Sequence, residues 1–590
     1  GGYRLTAGTE QYSGANGLNQ DIIEITDNLT WYSGKHTFTV GTHNEIFKFA
    51  NLYIRNFYGY WEFNSLDDFE NGISSRFYHD FIGANPTEKW WAEFSVAQLG
   101  GYIGDNWAVM PNLTLTMGLR LDVPIINDTP SANPLVEQVF GVKTDQAASG
   151  NLLFSPRVGF NWDVNGDKKT QVRGGIGIFS GRTPYVWISN QFSNTGIEFT
   201  RYDLKNPSFP FVPDALNQPI EGPGLKSGVS EVDVIDKNFT YPQLLRTNLA
   251  VDHELPFGVI GTVEFIYSKN LNEILYQNLN LRATGETGYG GRVFYSRDVS
   301  SSFNDVLYLT NTSKGYQYSL SAQLQKTFGK NSYANVTYSY GQAKDVNSGT
   351  SSQASSNFGY NPIGNNPNDP EVAWSNYDIR HRLGAALSLS FNFIKNAPTS
   401  VGLFYSSRSG RPYSTTYNYS DANGDRASGN DLVYVPSGAG DVLFTDSRGN
   451  VLADQDTVWN AFNAFISSDS GLNGARGSII GRNASREPWY HSLDMRIAQD
   501  IPIPGLRDNR LQISLDIVNV LNLLNKEWGI LYYVSNQNMT PWTYKGIDAA
   551  TGKEKIYYTP LPSNDKNDVF SISTLASRWQ MQLGIRYSFN

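Results

Sequence analysis

The segment from Leu113 to Val123 alternates between apolar and polar side chains with few exceptions. Leucine, methionine and valine occupy every second position, whereas threonine, arginine and aspartate fill most of the positions between them. Because the side chains of a β-strand point alternately to its two faces, this period of two predicts a strand with one apolar and one polar face. A strand of a soluble β-sandwich has the same pattern, so a single segment does not separate the two classes.

Repetition of long alternating segments distinguishes membrane-spanning strands from the strands of a soluble sandwich. The same period of two recurs in four further segments: Tyr316–Phe328, Leu383–Phe393, Leu493–Ile501 and Leu511–Ile517. Strands of soluble proteins average about five or six residues, whereas strands that cross an outer membrane need about nine to eleven. The longer segments therefore favour membrane-spanning strands.

Charged residues lie on the polar faces of these strands, as at Asp494, Arg496, Asp500 and Asp516. An arginine or lysine facing lipid at the bilayer midplane costs roughly 2 to 4 kcal/mol. We therefore expect these side chains to face a hydrated lumen, and we expect the interior to be wet rather than a packed core.

The connections between the predicted strands alternate between short and long. Short turns are predicted at Asn165-Gly166, 256–258, 329–331, 395–397 and Pro504-Gly505. Long segments rich in Gly, Asn, Ser and Asp are predicted at 124–155, 181–243, 270–315, 341–377, 409–490 and 523–574. This alternation is typical of outer-membrane barrels, whose short turns are periplasmic and whose long loops are extracellular. We count about sixteen strands and predict an all-β, transmembrane antiparallel β-barrel.

The last residues of the chain form one more amphipathic segment. Its apolar positions are Met581, Leu583, Ile585, Tyr587 and Phe589. An ordinary edge strand has this pattern too, but an unprotected edge is an aggregation hazard in a soluble protein. An aromatic residue at the end of such a strand resembles the β-signal that the outer-membrane assembly machinery recognises.

Composition agrees with a barrel and excludes several alternatives. Of the 590 residues, 14% are aromatic and 17% are charged, and the formal net charge is -9. An acidic chain does not suit a nucleic-acid partner, which needs a basic surface. The absence of cysteine removes disulfides, thiolate metal sites and cysteine nucleophiles. No apolar run reaches the roughly 18 residues that a spanning helix needs.

Two acidic segments, DVNGD at 163–167 and DANGD at 421–425, suggest calcium loops. In an EF-type loop glycine occupies the sixth position and glutamate the twelfth, whereas here Gly424 is fourth and Leu432 is twelfth. Asn-Gly is also the favoured dipeptide of a type I′ hairpin turn, so we interpret both segments as turns. The six histidines are scattered without paired ligand spacing, which indicates loop or interface residues. We expect no metal site and no cofactor.

Enzymatic function has no local support. The sequence contains no GxSxG elbow, no phosphate-binding loop and no dinucleotide-binding glycine motif. We expect the protein not to be an enzyme, and no catalytic residue is assigned. Tyr413, Tyr417 and Tyr419 belong either to a ligand-binding surface of the long loops or to the outer aromatic girdle, and both interpretations stay open.

Four segments carry a family resemblance: Ser155–Trp187, SSRSGRPYS at 406–414, NDLVYVP at 430–436 and LDIVNVLNLLNKEWG at 515–529. They resemble the barrel of Oar-like TonB-dependent receptors of Bacteroidota. The resemblance implies a large barrel, an internal plug, often an N-terminal carboxypeptidase-regulatory-like domain, and a short Ton box that engages TonB. We find no plug and no Ton box in the sequence. Since such receptors close with 22 strands, we expect residues 1–590 to be the C-terminal portion of the barrel.

The leading functional hypothesis is energised import of a ligand across the outer membrane. The expected partners are the lipid bilayer, the TonB complex through a segment outside this sequence, the outer-membrane assembly machinery and, in one alternative, surface lipoproteins. The alternatives are a passive porin of sixteen strands and a structural barrel that docks lipoproteins or assembly machinery. Siderophore, glycan, peptide and protein ligands are all compatible with the polar loops.

Overall fold

The computed structural model describes residues 4–589 apart from 84, 86, 182–183, 223–224, 226, 229, 330, 396, 504–508 and 560–568. Three of the predicted short turns, at 329–331, 395–397 and 504–505, include residues outside this described part. The turn at 504–505 lies wholly outside it.

One antiparallel sheet dominates the structure and contains fifteen long strands among the described residues. Each long strand pairs with the next in an antiparallel register. The strands are β1 (Asn16–Ser33), β2 (His36–Tyr53), β3 (Ala92–Met110), β4 (Leu113–Ile126), β5 (Leu153–Asp163), β6 (Thr170–Ser180), β7 (Gln243–Leu255), β8 (Val259–Asn278), β9 (Tyr316–Phe328), β10 (Ser332–Asp345), β11 (His381–Ile394), β12 (Ala397–Arg408), β13 (Tyr490–Pro502), β14 (Arg510–Val518) and β15 (Gln580–Ser588).

The predicted strands are confirmed. β9 has the predicted bounds, and the segments predicted at 113–123, 383–393, 493–501 and 511–517 lie within β4, β11, β13 and β14. The sheet has fifteen long strands where the sequence indicated about sixteen. β1 and β2, at the start of the chain where the alternation is hardest to follow, are 18 residues each.

Register separates the two faces of the sheet, because residues paired across neighbouring strands share a face. Asp252 pairs with Thr262, Thr262 with Gln323 and Gln323 with Thr337, which forms a polar row across β7 to β10. The row formed by Leu249, Phe265 and Leu320 is apolar and exposed. We call the polar side the inner face and the apolar side the outer face.

Short and long connections alternate along the whole sheet, as predicted. Two short turns that the sequence did not indicate, 34–35 and 111–112, precede the predicted ones. The turn at Asn165-Gly166 is confirmed, but it spans 164–169, and positive φ values occur at Gly166 and Lys168. A two-residue type I′ turn needs positive φ at both central residues, so that part of the interpretation is wrong.

The seven long connections, 54–91, 127–152, 181–242, 279–315, 346–380, 409–489 and 519–579, form what we call the outer layer. Its helices are α1 (Leu66–Glu70), α2 (Pro134–Phe140), α3 (Val186–Ser193), α4 (Ala354–Gly359), α5 (Gln455–Ser468), α6 (Ser470–Gly474), α7 (Val520–Leu524) and α8 (Thr574–Ser577). No helix in the described part of the chain combines the length and the apolarity needed to cross a membrane.

The outer layer also contains short strands. They are Tyr60–Glu62, Arg76–Phe81, Thr200–Lys205, Ser230–Ile235, Arg282–Thr287, Val293–Ser296, Phe303–Thr312, Ala373–Trp374, Pro412–Thr415, Tyr434–Val435, Leu443–Phe444, Ser478–Ile479, Ser485–Arg486, Tyr532–Tyr533, Asn538–Met539, Trp542–Ile547, Glu554–Tyr558 and Ser571–Ile572. Phe303–Thr312 pairs with the end of β8, which runs on to Asn278, so the loop predicted from 270 begins later than expected. The predicted loops are therefore structured, and they contain most of the buried hydrophobic residues.

Candidate functional site: the outer layer and its polar cavity

The inner face changes character toward the ends of the strands that meet the outer layer. On the inner face of β2 and β3 the pair Glu45–Gln98 is polar. The next two pairs on that face, closer to the outer layer, are Phe47–Val96 and Phe49–Phe94, and both are apolar. These apolar side chains are buried in one core with residues of α3. Stacking of Phe94 on Phe192, with ring centroids 4.7 Å apart, holds α3 against the sheet. The expectation of a wet interior is therefore wrong at this end, where the loops fold back and pack.

A second core lies inside the outer layer, around α5. Phe462 is fully buried, and its ring makes edge contacts with Trp542 at 4.8 Å and Tyr558 at 4.9 Å. The apolar residues of the NDLVYVP motif, Leu432 to Val435, belong to the same core. This motif of the family resemblance is thus a structural element that joins distant loops.

The three tyrosines singled out in the sequence do not act together. Tyr413 and Tyr417 are buried, whereas Tyr419 is 89% exposed. The Tyr417 hydroxyl donates a hydrogen bond to the carboxylate of Glu554. Both interpretations of Tyr413 and Tyr417, as ligand-binding surface or as aromatic girdle, are wrong, because each lies inside the packed outer layer.

The glycine of the SSRSGRPYS motif has a steric role. A Cβ atom at Gly410 would lie 1.7 Å from the main-chain oxygen of Glu487. Only glycine allows this approach, which brings Pro412–Thr415 beside Ser485–Arg486. The motif therefore fixes where the longest loop re-enters the sheet.

A polar cavity of about 70 Å³ lies in the outer layer beyond the end of β2. Small-molecule sites usually occupy about 300 to 1,000 Å³, so this cavity has room for one small polar group of a ligand and not for a whole ligand. Its wall combines tyrosine rings, amides, hydroxyls and charged groups: Tyr12, Tyr53, Ile54, Arg55, Asp80, Asn194, Phe199, Arg201, Glu231, Gln353, Ser355, Ser356 and Tyr360.

Two ion pairs organise the wall of this cavity. Arg201 Nε lies 3.0 Å from Asp80 Oδ2, and Arg55 Nη2 lies 3.5 Å from Glu231 Oε2. The carboxylates are the buried partners of both pairs, whereas the side chain of Arg55 is about one-third exposed. Asp80 Oδ1 has no hydrogen-bond partner among the described residues. The wall thus contains a buried acceptor without a partner and a partly exposed arginine side chain.

Burial sets the protonation behaviour of this region. It raises the pKa of Asp80, although Arg201 and Arg55 oppose the shift. Burial also raises the pKa of Asp233 well above its ordinary value, and the neighbouring Glu231 adds to the effect. The cavity wall itself contains two carboxylates and two arginines, so its charged groups can both accept hydrogen bonds from a ligand and donate hydrogen bonds to it.

No cavity residue was singled out from the sequence, although a signal was present. The segment Ser230–Ile235 alternates charged and apolar residues, with Glu231 and Asp233 on one face and Val232 and Val234 on the other. This is the same period of two that identified the long strands. The segment is only six residues long and lies within the loop predicted at 181–243.

Charged residues on the long strands lie on the inner face, as predicted, and some of them form ion pairs there. Arg496 and Asp516 lie directly opposite each other on β13 and β14, with Nη1 3.3 Å from Oδ1. Arg173 similarly contacts Asp252 at 3.1 Å and Glu264 at 3.4 Å. These pairs are partly exposed, in agreement with a hydrated middle section of the inner face.

The histidines were predicted to be loop or interface residues, and of the six only His79 lies in a long connection. Five of them lie on the long strands and one on Arg76–Phe81: His36, His43, His253, His381, His491 and His79. Within the described ranges, no three acidic, histidine or cysteine side chains are grouped so as to hold a metal ion.

The alternation predicted for the last strand is present, and Met581, Leu583, Ile585 and Tyr587 share the exposed apolar face of β15. Phe589, next to the strand, is also exposed.

Comparison with known proteins gives one family. The profile described as outer membrane beta barrel domain matches residues 3–527. A search of curated proteins gives no match. Solved structures with a similar fold are the outer membrane transporter YddB from Escherichia coli (TM-score 0.48, 11% identity, 96% of this chain and 54% of that chain), the siderophore receptor PirA from Acinetobacter baumannii (0.41, 10%, 86% and 51%) and the iron transporter FrpB from Neisseria meningitidis (0.40, 10%, 88% and 52%). The chain spans about half the length of each.

Proposed function

Since the chain belongs to the outer membrane β-barrel domain family, and so resides in the outer membrane, we propose that it is the wall of a TonB-dependent receptor that imports a ligand. The Oar-like receptors of Bacteroidota are the group that its motifs resemble. In this proposal the short turns are periplasmic and the outer layer faces the medium.

The packing at the outer end of the sheet carries this proposal. A passive porin keeps an aqueous channel open through its barrel. Here α3 and the aromatic residues of β2 and β3 form a core on the inner face at the end where a ligand would enter. Such a core favours a gated entrance that captures a ligand before it admits it.

The direction of the edge strands supports a larger barrel. β1 and β15 each pair with a single neighbour among the described residues, and both run from the outer layer toward the short turns. Pairing them directly would be parallel, so antiparallel closure needs an odd number of further strands. Seven would give the roughly 22 strands of plugged outer-membrane transporters, with plug and Ton box lying outside residues 1–590.

Within this proposal the polar cavity is the candidate capture site, and the last strand is the assembly signal. The tyrosine rings, amides and ion pairs of the cavity suit a small polar group of a ligand that forms hydrogen bonds. The apolar face of β15 and Phe589 would be presented to the assembly machinery.

Genetic epistasis in the native bacterium tests the proposal. Deletion of the gene and deletion of tonB should impair growth on the same limiting nutrient, and the double deletion should be no worse than either. A growth defect from gene deletion that adds to the tonB defect would instead favour a passive porin. Unimpaired growth with stoichiometric co-purification of lipoproteins would favour a docking barrel.

A further inference from the structure

Two arginines face each other across neighbouring strands where the inner face meets the outer layer. Arg382, near the start of β11, pairs directly with Arg408 at the end of β12. Both lie on the inner face, because Arg382 also pairs with Ser339, which is on the same side of β10 as Thr337 of the polar row. Like charges directly opposite each other on neighbouring strands destabilise a sheet. The pair therefore needs compensation from another group.

A third arginine adds to this positive charge. Arg411 follows β12 in the outer layer, and Arg411 and Arg382 are both close enough to repel Arg408. Arg382 and Arg411 are exposed, whereas Arg408 is half-buried. The guanidinium carbon of Arg408 lies 5.7 Å from the centre of the Tyr490 ring on β13. We call Arg382, Arg408 and Arg411 the arginine cluster.

Carboxylates of the described residues do not neutralise the arginine cluster. Within the part of the chain that the structure describes, none of its three guanidinium groups forms an ion pair. Glu487 attracts Arg408 and Arg411, but its side chain is buried. Its Oε1 accepts a hydrogen bond of 2.8 Å from the main-chain N–H of Val534. One buried carboxylate is thus set against three arginines.

Other arginines of the inner face are balanced by a carboxylate nearby. Their ion pairs are Arg120–Asp122, Arg173–Asp252 and Arg496–Asp516. The whole chain has a formal net charge of -9, so acidic residues are not scarce. The positive charge of the arginine cluster is therefore a local feature and not a consequence of a basic composition.

Open space borders the arginine cluster on the inner face. The next row toward the short turns consists of Gly384, Ser406 and Ser492. A Cβ atom at Gly384 would meet no atom within 4 Å. The serine hydroxyls can donate hydrogen bonds to an acceptor in this space. The row therefore leaves room for an anionic group beside the arginines.

The guanidinium groups determine which anions suit this space. The planar fork of an arginine matches the paired oxygens of a carboxylate or phosphate group and donates two parallel hydrogen bonds to them. Chloride has no paired oxygens and cannot be held in this way. A bound oxyanion would also offset the repulsion between Arg382 and Arg408.

We propose that the arginine cluster binds the phosphate or carboxylate group of an anionic ligand as the ligand passes from the outer layer into the lumen. The passage rests on the proposed import function, whereas the binding of the anion does not. This site is separate from the polar cavity, because the cavity wall contains none of the three arginines.

Calorimetric titration of the full-length protein in detergent with sodium phosphate, at an ionic strength held constant with sodium chloride, tests the site. We expect one saturable site. Arg382→Gln and Arg408→Gln should each raise the Kd at least about tenfold, because each removes charged hydrogen bonds to the anion.

Arg157→Gln is the matched control. Arg157 is also an exposed arginine of the inner face, but its partners on the neighbouring strands are Gly118 and Gly177. This variant should leave the Kd for phosphate unchanged. Equal effects of Arg382→Gln and Arg157→Gln on the Kd would overturn the proposal.

Thermal unfolding separates loss of the site from misfolding. In chloride alone Arg382→Gln should raise the Tm, since it removes the repulsion of Arg408. Phosphate should raise the Tm of the unmodified protein and leave that of the variant unchanged. A lower Tm of Arg382→Gln in chloride would contradict the proposed repulsion.

Absence of saturable phosphate binding by the full-length protein also overturns the proposal. That result includes the case in which an acidic side chain from outside residues 1–590 occupies the site. The titration requires neither TonB nor transport, so a failure of this site and a failure of the proposed import are distinguishable.

Discussion

The wall of long strands and the outer layer are stabilised by different kinds of interaction. In the wall, hydrogen bonds between neighbouring strands satisfy the backbone, and the apolar row through Leu249 and Leu320 stays exposed for lipid. In the outer layer, short strands and helices bury a core such as that around Phe462. The wall therefore depends on a repeating register, whereas the outer layer depends on a few tertiary contacts.

Removing an aromatic anchor should give the largest difference between the two regions. Phe462→Ala leaves a cavity among Phe444, Trp542 and Tyr558, and we expect a loss of about 3 to 5 kcal/mol in the free energy of unfolding of the outer layer. Leu249→Ala on the outer face should leave that free energy nearly unchanged. Pulse proteolysis in urea, with cleavage sites mapped within 409–489, measures both. Similar losses of unfolding free energy in the two variants would contradict the proposed difference between the two regions.

Ion pairs should show the same contrast on a slightly smaller scale. Arg201→Met leaves the carboxylate of Asp80 buried without its partner, which we expect to cost about 3 kcal/mol of outer-layer stability. Arg496→Met breaks an exposed pair with Asp516 on the inner face and should cost under about 1 kcal/mol. The same proteolysis assay compares them, and an equal cost would show that the cavity pair is as hydrated as the wall pair.

The outer layer should lose stability as the pH rises. Burial raises the pKa of Glu554 to about 7 from an ordinary value of 4.5. The folded state therefore holds the proton more tightly, so this stabilisation is complete below about pH 4.5 and is lost as the pH rises through 7. We expect a decrease on the order of 2 kcal/mol between these limits. Glu554→Gln should flatten this part of the profile, and a profile unchanged by that variant would contradict the assignment.

The smallest expected changes in stability are those of variants at two tyrosines that are close in the sequence. Tyr417→Phe removes the hydroxyl that hydrogen-bonds to Glu554 and should cost about 1 to 2 kcal/mol. Tyr419→Ala changes an exposed side chain and should stay within about 0.5 kcal/mol of the unmodified protein. Thermal unfolding followed by near-ultraviolet circular dichroism is sensitive enough to compare them. A larger loss for Tyr419→Ala would place that residue in a contact absent from this structure.

The wall was predictable from the sequence because its pattern is local. The period of two in Tyr316–Phe328 reproduces the bounds of β9, since facing lipid on one side and water on the other constrains every residue. The outer layer was not predictable in this way, because its strands pair with segments that are far away in the sequence. Ser230–Ile235, for example, pairs in parallel with Phe303–Thr312. The cavity likewise assembles Arg55, Asp80 and Arg201 from separate loops. Nothing local marks those residues as neighbours.

Hydrogen–deuterium exchange of the full-length protein in lipid nanodiscs tests most directly whether the outer layer is a folded body. We expect slow exchange for the amides of Leu432 and Val433, whose N–H groups donate to main-chain oxygens inside the layer, and for the interior of α5. Their protection should approach that of β9. Exchange of these amides at the rate of an unstructured loop would contradict it.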